Sequence, residues 1–194
     1  VKVIDFTGGE PLLHQGLGDM LELAKSQKMI TTVTTNCLLY PKRALELQGK
    51  IDMLHFSLDS AKAEVHNKLR GVNCFDHVIE SIKIAKSLGE RPDILFTVHE
   101  ENINEIEAIY NEVCLPNDLM LILNPIFDYN GIENHGGLQY DHFDVLRCWA
   151  KKKTVFINEA FLSLRENGGN HIDSPVCKAA SSTVVITPEN KLAV

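Results

Sequence analysis

Five short runs rich in β-branched and aliphatic residues (3–6, 30–35, 53–58, 94–98 and 119–125) alternate with stretches whose apolar residues recur at helical spacing. Leu17, Leu21 and Ala24 form one such stripe, widened by Met20 and Leu23. Ala44, Leu45 and Leu47 follow Pro41, which suits a first helical turn. Val78, Ile79, Ile82 and Ala85 lie between Asp76 and Gly89. Ile106, Ile109 and Val113 form the next stripe, with Asn102 or Asn104 as cap and Glu107 at capping-box distance from Asn104. Residues 61–71 read as a polar segment; a helix with Phe143, Leu146 and Trp149 follows a polar loop, then come 154–157 as a short segment and 159–165 as a helix. Strand and helix periods that alternate across short connections predict parallel βαβ units in a sheet or open barrel. Such folds gather their ligands at the carboxyl ends of the strands.

The first of those strand ends carries unusual chemistry. Val3, Ile4 and Phe6 predict a strand buried on both faces, and Gly8 and Gly9 then let the backbone turn sharply and approach a ligand closely. Glu10 follows, biased towards an extended conformation by Pro11. A carboxylate there suits a cationic group such as the ammonium of an amino acid. Ser57 and Asp59 stand two apart at the end of another run, on one face if the strand continues that far. Taken alone, these residues also fit strand-end turns. Arg70 offers a planar fork of donors for a carboxylate, or for a surface ion pair. Asn36 and Asn102 follow strands, where Asn is commonly a turn or cap residue.

A chain of 194 residues with 44% hydrophobic content suits one domain and part of a second. The net charge of −7, with Lys151-Lys152-Lys153 as its one basic run, argues against a nucleic-acid surface. Those lysines fit a solvated helix end. No run approaches the ~20 apolar residues of a membrane span, and none reads as a signal peptide. Five cysteines at irregular spacing do not form a disulfide framework and fit a reducing cytoplasm. Cys114 and Cys148 read as buried thiols, and Cys37 as lining the strand-end site. His14, His55, His66, His77 and His99 lack paired metal-ligand spacing.

The string Thr7-Gly8-Gly9-Glu10-Pro11-Leu12-Leu13 resembles the S-adenosylmethionine (SAM) motif of the radical SAM enzymes. Other strand ends match the family in order. Thr35-Asn36-Cys37 resembles its Thr-Asn-Gly, with a departure at the third position. Ser57-Leu58-Asp59 resembles its Ser-x-Asp, and His66 to Arg70-Gly71 its His-(x)n-Arg-Gly. Asn102 stands where the family has an Asn after its fifth strand.

The resemblance implies an α/β fold, a partial (β/α)6 TIM-like barrel with parallel strands. This chain supplies strands two to six; the first strand and the cluster loop are missing. The family's CxxxCxxC triplet, which ligates the SAM-binding 4Fe-4S cluster, is expected upstream of Val1, so the chain reads as a piece of something longer. By resemblance, Gly8, Gly9 and Glu10 bind the SAM ammonium, while Ser57, Asp59 and Arg70 hold its ribose or carboxylate, with Asn36 and Asn102 as further contacts. The full-length protein is then an oxidoreductase or maturase that generates a 5′-deoxyadenosyl radical for hydrogen abstraction from a small-molecule or peptide substrate. Its reductant is one such as flavodoxin or ferredoxin. The alternative is a non-catalytic binding module on a degenerate radical SAM fold. Residues 1–173 form the core by this reading. Residues 174–194 resemble the start of a SPASM or twitch extension, in which Cys177 ligates an auxiliary iron–sulfur cluster and Asn190 takes the place of a hairpin glycine.

Overall fold

The structure, a computed structural model, describes residues 1–126, 138, 140–166, 183–187 and 191–193. Six parallel strands stand side by side in chain order: β1 (Val3–Phe6), β2 (Ile30–Thr35), β3 (Met53–Ser57), β4 (Asp93–Val98), β5 (Leu121–Pro125) and β6 (Val155–Phe156). Helices α1 (Leu17–Ser26), α2 (Tyr40–Leu47), α3 (Ala63–Arg70) and α4 (Phe75–Ser87) lie in the first three crossovers. Parallel pairing demands such crossovers. The α/β partial-barrel expectation holds: among the described residues the sheet is open, with β1 and β6 at its edges.

Pairing register divides the sheet into two faces. Phe56 stands opposite Ile94, and Phe96 opposite Leu123, so one face collects Val33, Leu54, Phe56, Ile94, Phe96, Leu121 and Leu123, all buried. Tyr40, at the start of α2, meets Phe56 edge-on with ring centroids 4.8 Å apart. Helix α1 packs on β2, and α4 lies against α2 and α3. The other face carries Thr34, His55, Asp93, Leu95, Thr97 and Asn124, all at least partly exposed.

Several expectations change. Val3, at 49% exposure, and exposed Asp5 are not buried on both faces, because among the described residues β1 has only β2 beside it. The polar segment 61–71 contains α3, which buries one side chain, His66, and so has no apolar stripe. Its ends were nevertheless marked: Glu64 in the first turn, Lys68 and Arg70 in the last, and Gly71 as a left-handed C-cap at φ 67°. Asn104 lies inside a 3₁₀ turn (Ile103–Glu105), so it caps nothing, and Asn102 precedes that turn. The helix that follows begins as α5 (Ile106–Ala108), widens to a π segment (Ile109–Cys114) and ends as α6 (Leu115–Asn117). Pro116, which lacks a donor and needs room for its ring, accounts for the widening. The segment 154–157 supplies β6, paired with β5. Leu45 is 77% exposed, its place in the stripe taken by Tyr40. Cys148 is exposed rather than buried, lying off the Phe143–Leu146 face of α7 (Tyr140–Ala150).

The chain divides into two compact units, Val1–Ile157 and Asn158–Val194. The second holds α8 (Glu159–Glu166) and an antiparallel hairpin of β7 (Val185–Ile186) and β8 (Leu192–Ala193). The expected boundary after residue 173, Cys177 and Asn190 lie outside the described residues. No helix of the described residues is long and apolar enough to cross a membrane.

Replacing Phe56, which is fully buried and meets Tyr40 edge-on, with alanine should lower stability by about 3–5 kcal/mol. A shift of the urea midpoint at unchanged slope is the expected readout.

Candidate functional site at the strand ends

The turn after β1 is built for a carboxylate. Gly8 and Gly9 have φ of 77° and 44°, left-handed values that a side chain would strain. An added Cβ at either would meet nothing within 4 Å, so the demand is conformational and the space over the turn is open. Glu10 is extended, at φ −138° and ψ 108°. Its Oε1 accepts from the Leu12 amide (3.0 Å) and the Thr35 hydroxyl (2.8 Å), and its Oε2 from the Asn36 amide (2.8 Å). The end of β2 thus fixes the side chain that follows β1.

Two supports of this turn escaped sequence reasoning. Thr35 also accepts from the Cys37 amide at 3.0 Å, which completes its bonding while it donates to Glu10. Arg43, on α2, donates from Nη1 to the carbonyls of Leu12 (2.6 Å) and His14 (2.8 Å), fastening the chain beyond Glu10. Nothing in an amphipathic helix signals a guanidinium aimed at a distant loop. Cys37 has φ 68°, which explains why glycine suits the position and why the departure strains it. Its buried thiol is pushed up chiefly by burial, with the Glu10 charge adding and the Arg70 charge opposing.

The ends of β3 and β4 form a second group. Strand β3 stops at Ser57, which is 5% exposed, and the chain then turns Asp59 inward to 4% exposure. Asp59 Oδ1 accepts from Arg70 Nη2 (2.9 Å) and the Thr97 amide (2.9 Å), while Oδ2 lies 2.5 Å from Arg70 Nε. Asn102, fully buried, donates to the carbonyls of Asp59 (3.2 Å) and Thr97 (2.9 Å) and accepts from the His99 amide (2.9 Å). The structure therefore joins Glu10 to Asn36, and Asp59 to Arg70 and Asn102, on four adjacent strands whose neighbours stand ~4.8 Å apart. Thiols of Cys37 and Cys74 feel Glu10 and Arg70 alike, so both groups border one region.

His66 is the hidden member of this site. Its Nδ1 accepts from the Asp59 amide at 3.1 Å, which leaves Nε2 to carry the proton of the neutral ring towards Cys74 Sγ, 3.2 Å away. Next to it, Asn67 Oδ1 accepts from the amides of Cys74 (2.9 Å) and Phe75 (3.0 Å) at the start of α4. Burial, with the Arg70 charge assisting, lowers the His66 pKa to about 4, although Asp59 opposes the shift.

In the window between about 4 and the ordinary value near 6.5, the unfolded chain binds a proton at this residue that the folded chain refuses. Stability contributed by neutral His66 is thus present above that window and lost as pH falls through it, at most at about 1.4 kcal/mol per pH unit. His66→Gln keeps an acceptor and a donor without a titrating group, so urea unfolding at pH 7 and pH 5 should show a smaller acid loss in the variant.

Among the described residues no group of three or more His, Cys, Asp or Glu side chains is placed to hold a metal ion.

The family described as the Radical SAM superfamily matches residues 1–113. A GTP 3′,8-cyclase of Petrotoga mobilis is 34% identical over 110 residues, covering 55% of this chain and 34% of that protein. The chain thus spans about a third of the length of the curated relatives it matches. Among solved structures, Streptococcus suis SuiB superposes with a TM-score of 0.66 at 19% identity, covering 86% of this chain and 41% of SuiB. SuiB has also been solved bound to S-adenosylmethionine and to the precursor peptide SuiA. A domain of pyruvate-formate lyase-activating enzyme from Bacteroides vulgatus gives a TM-score of 0.58 at 21% identity, covering 81% of this chain and 99% of that domain. These structural likenesses are of fold. The chain belongs to the radical SAM superfamily.

Proposed function

We propose that this chain is the SAM-binding core of a radical SAM enzyme. The observation that carries the reading is the Glu10 carboxylate, set on a Gly8–Gly9 turn and oriented by Thr35 and Asn36. SAM fits the residues present. Its ammonium is a donor for Glu10, whose Oε2 has one bond and a lone pair to spare. Its carboxylate suits Ser57 and the Arg70 guanidinium, and the open space over two glycines admits the methionine backbone. The chain's work is to bind and orient, with Glu10 fixing the amino end and Arg70 the carboxylate end. Bound beside a reduced 4Fe-4S cluster, SAM would take one electron, break a C–S bond to release methionine, and so supply a 5′-deoxyadenosyl radical able to take hydrogen from an organic substrate. No described residue is assigned to that cluster.

The family match covers residues 1–113, the part that bears this site, so it speaks to cofactor rather than substrate. SuiB bound to its precursor peptide supports a peptide or small molecule as the substrate class. Residues 174–194 begin a SPASM or twitch extension in this reading, supported by the β7–β8 hairpin, with Cys177 as ligand of an auxiliary iron–sulfur cluster. A flavodoxin- or ferredoxin-like reductant and a cytoplasmic location complete it.

The test is anaerobic formation of 5′-deoxyadenosine by the full-length protein, with iron and sulfide restored and a strong reductant present. Glu10→Ala should weaken SAM about 10- to 100-fold, the worth of a charge-assisted hydrogen bond, and depress product accordingly. No product from protein of verified cluster content would sink the enzyme reading and leave a binding scaffold.

A further inference from the structure

Asp59 invites assignment as a ribose contact, yet every polar atom it owns is already engaged. Its amide donates to His66, and its carbonyl accepts from Asn102. Its Oδ1 accepts from Arg70 Nη2 and the Thr97 amide, and its Oδ2 is ion-paired with Arg70 Nε, at 4% exposure. Asn102 is in the same position, with both amide hydrogens and its oxygen used and no exposed surface. A ribose hydroxyl has no room to bond either side chain unless this network breaks. Arg70 differs. Its side chain is 25% exposed; Nη2 donates to Asp59, Nε is buried beside Asp59 Oδ2 as an ion pair without a hydrogen bond, and Nη1 has no partner among the described residues. As the last residue of α3, ahead of the left-handed Gly71, it lacks a following turn to steady it.

We propose that Asp59 is a positioning residue that presents Arg70 Nη1 to the carboxylate of SAM, while Asn102 and His66 hold Asp59 and none of the three touches the cofactor. The inference rests on the SAM-binding reading above and deepens it. A single buried carboxylate converts the orientation of β3, α3 and β4 into the direction of one guanidinium nitrogen, and so reads the methionine end of the ligand rather than its ribose.

Ligand analogues separate this role from a general loss of structure. Affinities of the cluster-loaded full-length protein would be measured for SAM and for decarboxylated SAM, which lacks only the carboxylate. Asp59→Asn and Arg70→Lys should each weaken SAM about tenfold, and the double variant should be no weaker than the worse single one, because both act on the same contact. All three should bind decarboxylated SAM as the wild type does. Should Asp59→Asn fail to fold, as its thermal midpoint would reveal, Asp59→Glu carries the comparison: it keeps the pair but displaces Arg70, so a smaller loss confined to SAM is expected. An equal loss on both ligands would overturn the proposal in favour of a ribose contact or a collapsed site. A wild type that binds neither ligand would overturn the SAM reading, and this inference with it; a wild type that binds SAM while the variants fail this pattern leaves that reading standing.

Discussion

The carboxyl ends of parallel strands leave backbone groups without a ladder, and burying them requires partners from elsewhere in the chain. Here side chains supply those partners. Glu10 accepts the Asn36 amide, Asp59 the Thr97 amide and Asn102 the His99 amide, each bridging one strand end to another or to its own following turn. The sheet holds its open rim together with the very residue types that bind charged ligands. Structural and ligand-facing roles are therefore hard to separate by residue type, and burial is what separates them. Glu10 and Arg70 keep exposed surface, whereas Asp59 and Asn102 keep almost none.

Charge is arranged along the rim with the same economy. A buried carboxylate without partners would be costly, and the pairing of Asp59 with Arg70 answers that cost while leaving one guanidinium nitrogen over. His66 contributes no charge at neutral pH. It acts through shape and one accepted hydrogen bond, and its ring edge fills the gap between the end of β3 and Cys74 at the head of α4. That one helical residue reaches both elements explains why α3 is short and polar: its task is to carry His66, Asn67 and Arg70 to three different places.

Much of this was legible beforehand. Alternating periods gave the parallel sheet because β-branched runs and amphipathic stripes are local signals of burial. Gly8, Gly9, Glu10 and Arg70 were singled out by their resemblance to a family's motifs, and the structure sets them at the strand ends. What stayed hidden was contact between distant residues. Thr35 holds Glu10, and Arg43 holds the carbonyls beyond it, across separations that no window spans. The helix at residues 63–70 was missed because its stability comes from polar tertiary bonds rather than an apolar face. The edge exposure of β1 was missed because sequence patterns report what a strand prefers to bury, not which neighbours it has.

Cys37 has a consequence beyond strain. Glycine at this left-handed position would relax the loop but enlarge the set of shapes it visits when nothing is bound. A cysteine packed to zero exposure instead narrows that set, and the Asn36 amide that steadies Glu10 sits directly before it. The loop accepts a poorer backbone angle in exchange for stiffness, so the Glu10 carboxylate is held ordered in advance, and a ligand bound there would lose less entropy.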